Sequence, residues 1–298
     1  MEITGVLKTL DELYTEKRMD EAEKYLLRSL EETEIEDDNY SSITIMNELI
    51  GFYRDMSRFK DSIKYCEKVI DLAKQEGLEE TIPYATTLIN VANAYRAAGH
   101  LEKSLIHFKK ASIIYEENMP NNDFRLAGLY NNIGLLYQEK GEYQNAIEYL
   151  RKALDIIESF PEAIIERAIT YTNIGVSLLK LNNLEEALQY INRSLSIFEK
   201  TIGVKDFHYS AALSAMGEVQ FRMKNYENAT QYFYHSLDEI KVNMGENILY
   251  AITCENLATA YAEMGNIDEA EEFRKKAGKI REKFEIINKQ MPFNKEAL

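Results

Sequence analysis

The sequence predicts an all-α protein, an α-solenoid of about seven antiparallel helix pairs, on three observations. The first is a repeat: the stretch NNIGLLYQEKGEYQNAIEYLRKAL, from Asn131 to Leu154, has counterparts along the whole 298-residue chain. With Gly134 as reference, the equivalent positions are Leu10, Ile50, Ala92, Gly134, Gly175, Gly217 and Ala258, and from Ile50 onward the steps are 42, 42, 41, 42 and 41 residues. A period that constant marks a repeat array. The second is helical apolar spacing inside each unit, as in Ile133, Leu136 and Tyr137 and again in Ala146, Tyr149, Leu150 and Ala153. The third is punctuation: 4 prolines and 13 glycines are too few for a turn-rich β architecture.

Repeats are expected at about residues 3–36, 43–78, 84–118, 126–160, 167–201, 209–243 and 250–290, in one superhelical domain over 1–290 followed by a tail at 291–298. In each, the first helix carries the reference residue and, three positions on, Leu13, Tyr53, Tyr95, Tyr137, Leu178, Gln220 or Tyr261. The second helix carries small residues twelve positions on (Ala22, Ser62, Ser104, Ala146, Ala187, Ala229, Ala270) and nineteen on (Ser29, Val69, Ala111, Ala153, Ser194, Ser236, Ala277). Small side chains let two backbones approach, and the aromatic fills the space beside them. The two helices of a unit are parted at Gly99, Gly141, Asn182 or Gly265, residue types that tolerate the left-handed conformation at a helix end.

The remaining elements follow from composition. The acidic run EETEIEDD (Glu31–Asp38) is expected to be a solvated loop. Pro83 and Pro161 fall where first helices should begin, and Pro120 falls in a connection. Beyond Ala277 the sequence GKIREKFEIINKQ extends the last helix, with Ile280, Phe284 and Ile287 on one face as a cap over the final repeat.

This pattern resembles the tetratricopeptide repeat (TPR), and its longer period resembles the form found in kinesin light chains. The resemblance covers roughly Gly5 to Ile287 and is carried by the small–x–x–Tyr–x–x–x–Gly–x–x–x–x–Ala core seen in the opening stretch. It departs in the first unit (Leu10, Leu13), the second (Ile50) and the sixth (Gln220). The resemblance implies a right-handed α-solenoid whose first helices line a concave groove.

Net charge is −15, which argues against a protein built to neutralise nucleic-acid phosphates or an anionic membrane surface. No run approaches the ~18 apolar residues of a membrane span. The N-terminus lacks the basic and apolar segments of a signal peptide. Cys66 and Cys254 give no disulfide framework and no CxxC spacing, so a reduced, cytoplasmic setting is expected. Both are placed in helix-packing columns as core residues rather than nucleophiles. Phosphate-binding, zinc-protease, serine-hydrolase and calcium-loop motifs are missing, and His100, His107, His208 and His235 lack metal-ligand spacing. No catalytic residue, metal or cofactor is therefore assigned, and the chain is expected not to be an enzyme.

One polar column remains. Two residues before the reference stand Glu48, Asn90, Asn132, Asn173, Ala215 and Asn256, and four asparagines at one helical position run against helix propensity. The TPR resemblance implies that such asparagines grip the backbone of a bound extended peptide. An amide suits that task because it offers a donor and an acceptor. Inter-helix hydrogen bonding is the alternative use for them. Asn47, Asn131 and Asn93 lie beside the column, with Arg54, Arg96 and Arg222 positioned to meet a carboxylate. The family's carboxylate clamp for chaperone C-termini is not reproduced. The expected partner is thus a protein or peptide in the concave groove, with self-association through the convex face or last helix as an alternative. Arrays of this kind also resemble the peptide-sensing regulators of Gram-positive bacteria, and that resemblance implies a further alternative, a bacterial signalling-peptide sensor. Such regulators usually carry an N-terminal DNA-binding or effector-binding helical domain, for which repeats starting near Met1 are expected to leave no room.

Overall fold

The computed structural model describes residues 2–201 and 207–290, with residues 207 and 284–290 described as backbone alone. Regular structure among the described residues is entirely helical, fourteen α-helices arranged as the hairpins of an α-solenoid. The chain divides into two compact units, residues 1–141 and 142–298. The first unit holds α1 (Ile3–Thr15), α2 (Met19–Ile35), α3 (Asn39–Asp55), α4 (Phe59–Gln75), α5 (Ile82–Ala97), α6 (Leu101–Asn118) and α7 (Phe124–Glu139). Each helix packs on the next, and α5 also touches α3 and α7, so α3, α5 and α7 form one row. The second unit holds α8 (Tyr143–Ile157), α9 (Ile164–Lys180), α10 (Leu184–Thr201), α11 (Phe207–Arg222), α12 (Tyr226–Met244), α13 (Ile248–Glu263) and α14 (Ile267–Gln290). There α11 touches both α9 and α13.

The two rows differ because their surroundings differ. An even-numbered helix buries one stripe, as α4 does with Ser62, Tyr65, Cys66, Val69 and Ala73, and leaves the other face to water. An odd-numbered helix with neighbours on both sides is covered more widely, so α3 buries Ile43, Ile45, Met46, Leu49, Ile50, Phe52 and Tyr53, while α1 buries only Val6, Leu10 and Leu13. The small columns set the contact between the rows. A Cβ added to Gly175 would sit 2.5 Å from Cγ1 of Ile191 and 3.4 Å from the Ala187 carbonyl oxygen, and one added to Gly217 would sit 2.6 Å from the Phe233 ring. Three of the column serines donate their hydroxyl to a carbonyl of the facing helix: Ser62 to Ile50 at 2.9 Å, Ser194 to Ala168 at 2.7 Å and Ser236 to Ser210 at 2.8 Å; the Ser104 hydroxyl, equally buried, has no such partner. Those three buried hydroxyls are thereby satisfied while the helices stay close.

Tyr53, Tyr95 and Tyr137 are buried as the aromatic column predicts, and Tyr261 is half-buried. The Tyr53 hydroxyl donates to Glu23 at 2.9 Å, and the Arg58 guanidinium lies 4.5 Å from its ring centre.

Some expectations need correcting. The acidic run is not a loop: Glu31–Ile35 complete α2, Thr33 is fully buried, and Ser42 donates to the Thr33 hydroxyl at 2.8 Å. Asp38, the end of that run, caps α3 by accepting from the Ser41 amide at 3.1 Å. The cap starts α3 at Asn39, ahead of the expected 43. Pro83 does lie in the first turn of α5, but Pro161 lies in the turn before α9, which opens at Ile164. Ile280 is buried at the end of the last hairpin. The side chains of Phe284 and Ile287, the rest of the expected cap, lie outside the described residues.

Candidate functional site

On an odd-numbered helix, the residues six and two before the reference and one and five after it are spaced by four, three and four, so they share one face. That face carries the asparagine column. In the first unit, Asn47 on α3 and Asn90 on α5 meet directly: the Asn90 amide donates to Asn47 Oδ1 at 3.0 Å. The Asn47 amide in turn donates to Thr87 Oγ1 and to the Ile43 carbonyl, both at 3.0 Å. Asn47 is therefore committed to bracing α3 against α5, while Asn90 keeps an acceptor and a donor. Asn131 and Asn132 are half-buried on α7.

The cations are engaged differently. Arg54 bonds its neighbour Asp55 at 2.8 Å. Arg96 on α5 reaches Glu139 on α7 at 2.6 Å, with its Nε buried and unpartnered, as is Asn93 Oδ1 one turn earlier. The α1–α3 end of this unit is acidic. Burial, and then Asp11, raise the Glu48 carboxyl above its usual range. Burial followed by Glu48, Asp55 and Asp11 pushes the Tyr14 hydroxyl up to about 12.

In the second unit Asn173 on α9 and Asn256 on α13 are half-buried, and Ala215 stands between them in the register on α11. Lys180 on α9 and Arg222 on α11 both approach Glu218 Oε1, at 3.3 and 3.6 Å. Glu255 on α13 is held by both Nε and Nη2 of Arg281 on α14, each at 2.7 Å, which lowers its carboxyl pKa.

Sequence reasoning missed these braces between adjacent repeats. Their signal was available, because Asn47–Asn90, Arg96–Glu139 and Lys180–Glu218 join residues 43, 43 and 38 positions apart, about one period.

Reactive groups elsewhere are muted. Burial raises the Cys66 thiol to about 12 and the Cys254 thiol to about 11, so neither is a thiolate at neutral pH. His107 stacks on Tyr95 at 5.5 Å, and its pKa is lowered by burial and then by Lys110, Lys103 and Lys74. Among the described residues no group of three His, Cys, Asp or Glu side chains is disposed to hold a metal ion, and no helix is long and apolar enough to cross a membrane.

The sequence profile of the tetratricopeptide repeat family matches residues 41–117, 125–200 and 209–283. Response regulator aspartate phosphatase A of Bacillus subtilis (strain 168) is 27% identical over 120 residues, which are 39% of this chain and 29% of that protein. The chain thus spans about three tenths of the length of the curated relatives it matches. Among solved structures, a Rap protein complexed with Competence and Sporulation Factor is similar at a TM-score of 0.71 and 15% identity, over 95% of this chain and 77% of that one. A putative kinesin light chain from Podosopora anserina with nearly identical TPR-like repeats is similar at 0.56 and 13% identity, over 66% and 93%. These are likenesses of fold, and they agree with a repeat of the kinesin-light-chain form. With its family profile covering more than half of its length, this chain belongs to the tetratricopeptide repeat family.

Proposed function

We propose that the chain is a non-enzymatic binding module, active in the cytoplasm, that holds an extended peptide or partner segment on the face of its odd-numbered helices. The observation carrying this reading is the recurrence of half-buried asparagines at one register, Asn90 and Asn132 in the first unit and Asn173 and Asn256 in the second. An extended chain has unpaired N–H and C=O groups, and an amide matches both without demanding a particular side chain. The buried, high-pKa thiols speak against nucleophilic chemistry and favour the binding role.

A second reading, a bacterial signalling-peptide sensor, is favoured equally by the likeness to the Rap protein solved with Competence and Sporulation Factor. The two readings differ in the partner: a free short peptide for a sensor, a segment of a larger protein for a module. A scaffold acting by self-association is a third, and light scattering separates it by mass.

The test is selection of a random heptapeptide phage pool on the immobilised chain. Each hydrogen bond contributes about 0.5–1.5 kcal/mol net. The pairs Asn90→Ala/Asn132→Ala and Asn173→Ala/Asn256→Ala should therefore each weaken the selected peptides by about tenfold, one decade per 1.4 kcal/mol. The thermal midpoint should barely move for the second pair, while the first also loses the Asn90 bond to Asn47 and should melt slightly earlier. Undiminished binding by both double variants, or a pool that enriches nothing, would sink the reading.

A further inference from the structure

Resting on that reading, the second unit also offers a basis for ligand chemistry. On α9, α11 and α13 the amide row is flanked by two unlike lanes. One turn before it, at the position six before the reference, lie Ile169, Ala211 and Ile252, an apolar lane with Ile252 40% exposed. Beyond it, five after the reference, lie Lys180 and Arg222, followed on α13 by Glu263. Helical rise puts the lanes about 6 Å and about 10 Å from the amide row, on opposite sides.

The polar lane has an excess of positive charge over α9 and α11. Lys180 and Arg222 share one oxygen of Glu218 at 3.3 and 3.6 Å, looser than the 2.6 Å pair between Arg96 and Glu139. No other carboxylate among the described residues pairs with either cation. Two cations on one carboxylate leave one charge over, in a chain of net charge −15. A ligand carboxylate is the complement that supplies the missing charge.

We infer that the face formed by α9, α11 and α13 binds an extended peptide that presents aliphatic side chains along one edge and a carboxylate along the other. An extended chain sends successive side chains to opposite sides. With its backbone over the amides, one parity meets Ile169, Ala211 and Ile252, and the other meets Lys180 and Arg222. Neighbouring helix axes lie roughly 8–10 Å apart. Crossing all three helices then takes about six residues at roughly 3.3 Å each.

The same heptapeptide phage pool tests this, selected on the full chain and on two variants, Lys180→Gln/Arg222→Gln and Ile252→Ser. Enriched sequences should carry Asp or Glu an odd number of positions from Ile, Leu, Val or Phe. The double variant should lower enrichment of acidic peptides by about tenfold, the effect of one charge-assisted contact, while aliphatic preference persists. The Ile252→Ser variant should lose the aliphatic preference and keep the acidic one. Circular dichroism on both variants separates a lost contact from a lost fold. Peptides enriched without the odd spacing, or an acidic preference indifferent to the loss of both cations, would overturn the inference and leave peptide binding standing. A pool that enriches nothing removes both.

Discussion

Glu48 occupies, in the second repeat, the register that asparagine holds in four others, and its environment makes it a liability to the fold. Burial disfavours its charged form, and Asp11 across the α1–α3 contact adds repulsion, so its folded pKa stands above the unfolded one. Any stability it lends is complete below the unfolded carboxyl pKa and is lost as pH rises through the raised folded value. At pH 7 the carboxylate therefore destabilises the first unit. Glu48→Gln should raise the thermal midpoint at pH 7, and the gain should fade below about pH 4, where glutamate is protonated in both states. A midpoint difference that persists unchanged at pH 3 would mean the side chain acts by packing rather than charge. The same scale explains which reference residues must stay small. Gly217 has the packed Phe233 ring where its Cβ would be, whereas Ile50, at the same register in the second repeat, is itself fully buried. Identity at that column is thus set by the facing residue.

The helix hairpin was the most legible element, and its turn shows both why and where legibility ended. All seven turns place a residue at positive φ seven positions after the reference: Lys17, Ser57, Gly99, Gly141, Asn182, Lys224 and Gly265. The next amide then bonds back to the carbonyl of the aromatic-column residue, as in Arg58 to Tyr53 at 2.8 Å, His100 to Tyr95 at 2.8 Å and Asn225 to Gln220 at 2.9 Å. Glycine and asparagine announce this geometry in sequence. Lysine and serine do not, because there the hairpin's packing imposes a backbone the residue itself disfavours. Helix starts were less legible, since a cap such as Asp38 or the non-helical Pro161 is decided by local loop geometry. Left-handed backbone costs an L-residue roughly 1–2 kcal/mol, partly offset by the freedom glycine loses on folding. Ser57→Gly and Lys224→Gly should each stabilise by about 0.5–1 kcal/mol, and Gly99→Ala should destabilise by about 1–2 kcal/mol. Urea midpoints that shift the same way for all three would contradict a shared turn.

For the molecule as a whole, stability is close to a sum over neighbouring repeats, and α14 packed on α13 ends the described array. The period and columns made that array readable from sequence. The bracing among its odd-numbered helices was not, because register tells which residues share a face but not which side chains reach across it. Asn47 is the clearest case: read as a ligand contact, it is fully occupied by Ile43, Thr87 and Asn90. The C-terminal helix combines both kinds of information. Its Ile280 completes the buried cluster that includes Phe233, Leu257, Phe273 and Ala277, and the next residue, Arg281, holds Glu255 at 2.7 Å. Ending the chain after Lys279 removes both contacts. Losing a buried isoleucine costs about 1.5–3 kcal/mol, and the surface it covered becomes open to association. The truncated chain should melt earlier and scatter light as aggregate. In the untruncated chain Ile280→Ser should reproduce most of the loss and Arg281→Ala a smaller part, since its pair with Glu255 is partly solvated. If the truncated chain melts with the parent and stays monomeric, the segment is no cap, and the end of the array is closed by Phe273 and Ala277 alone.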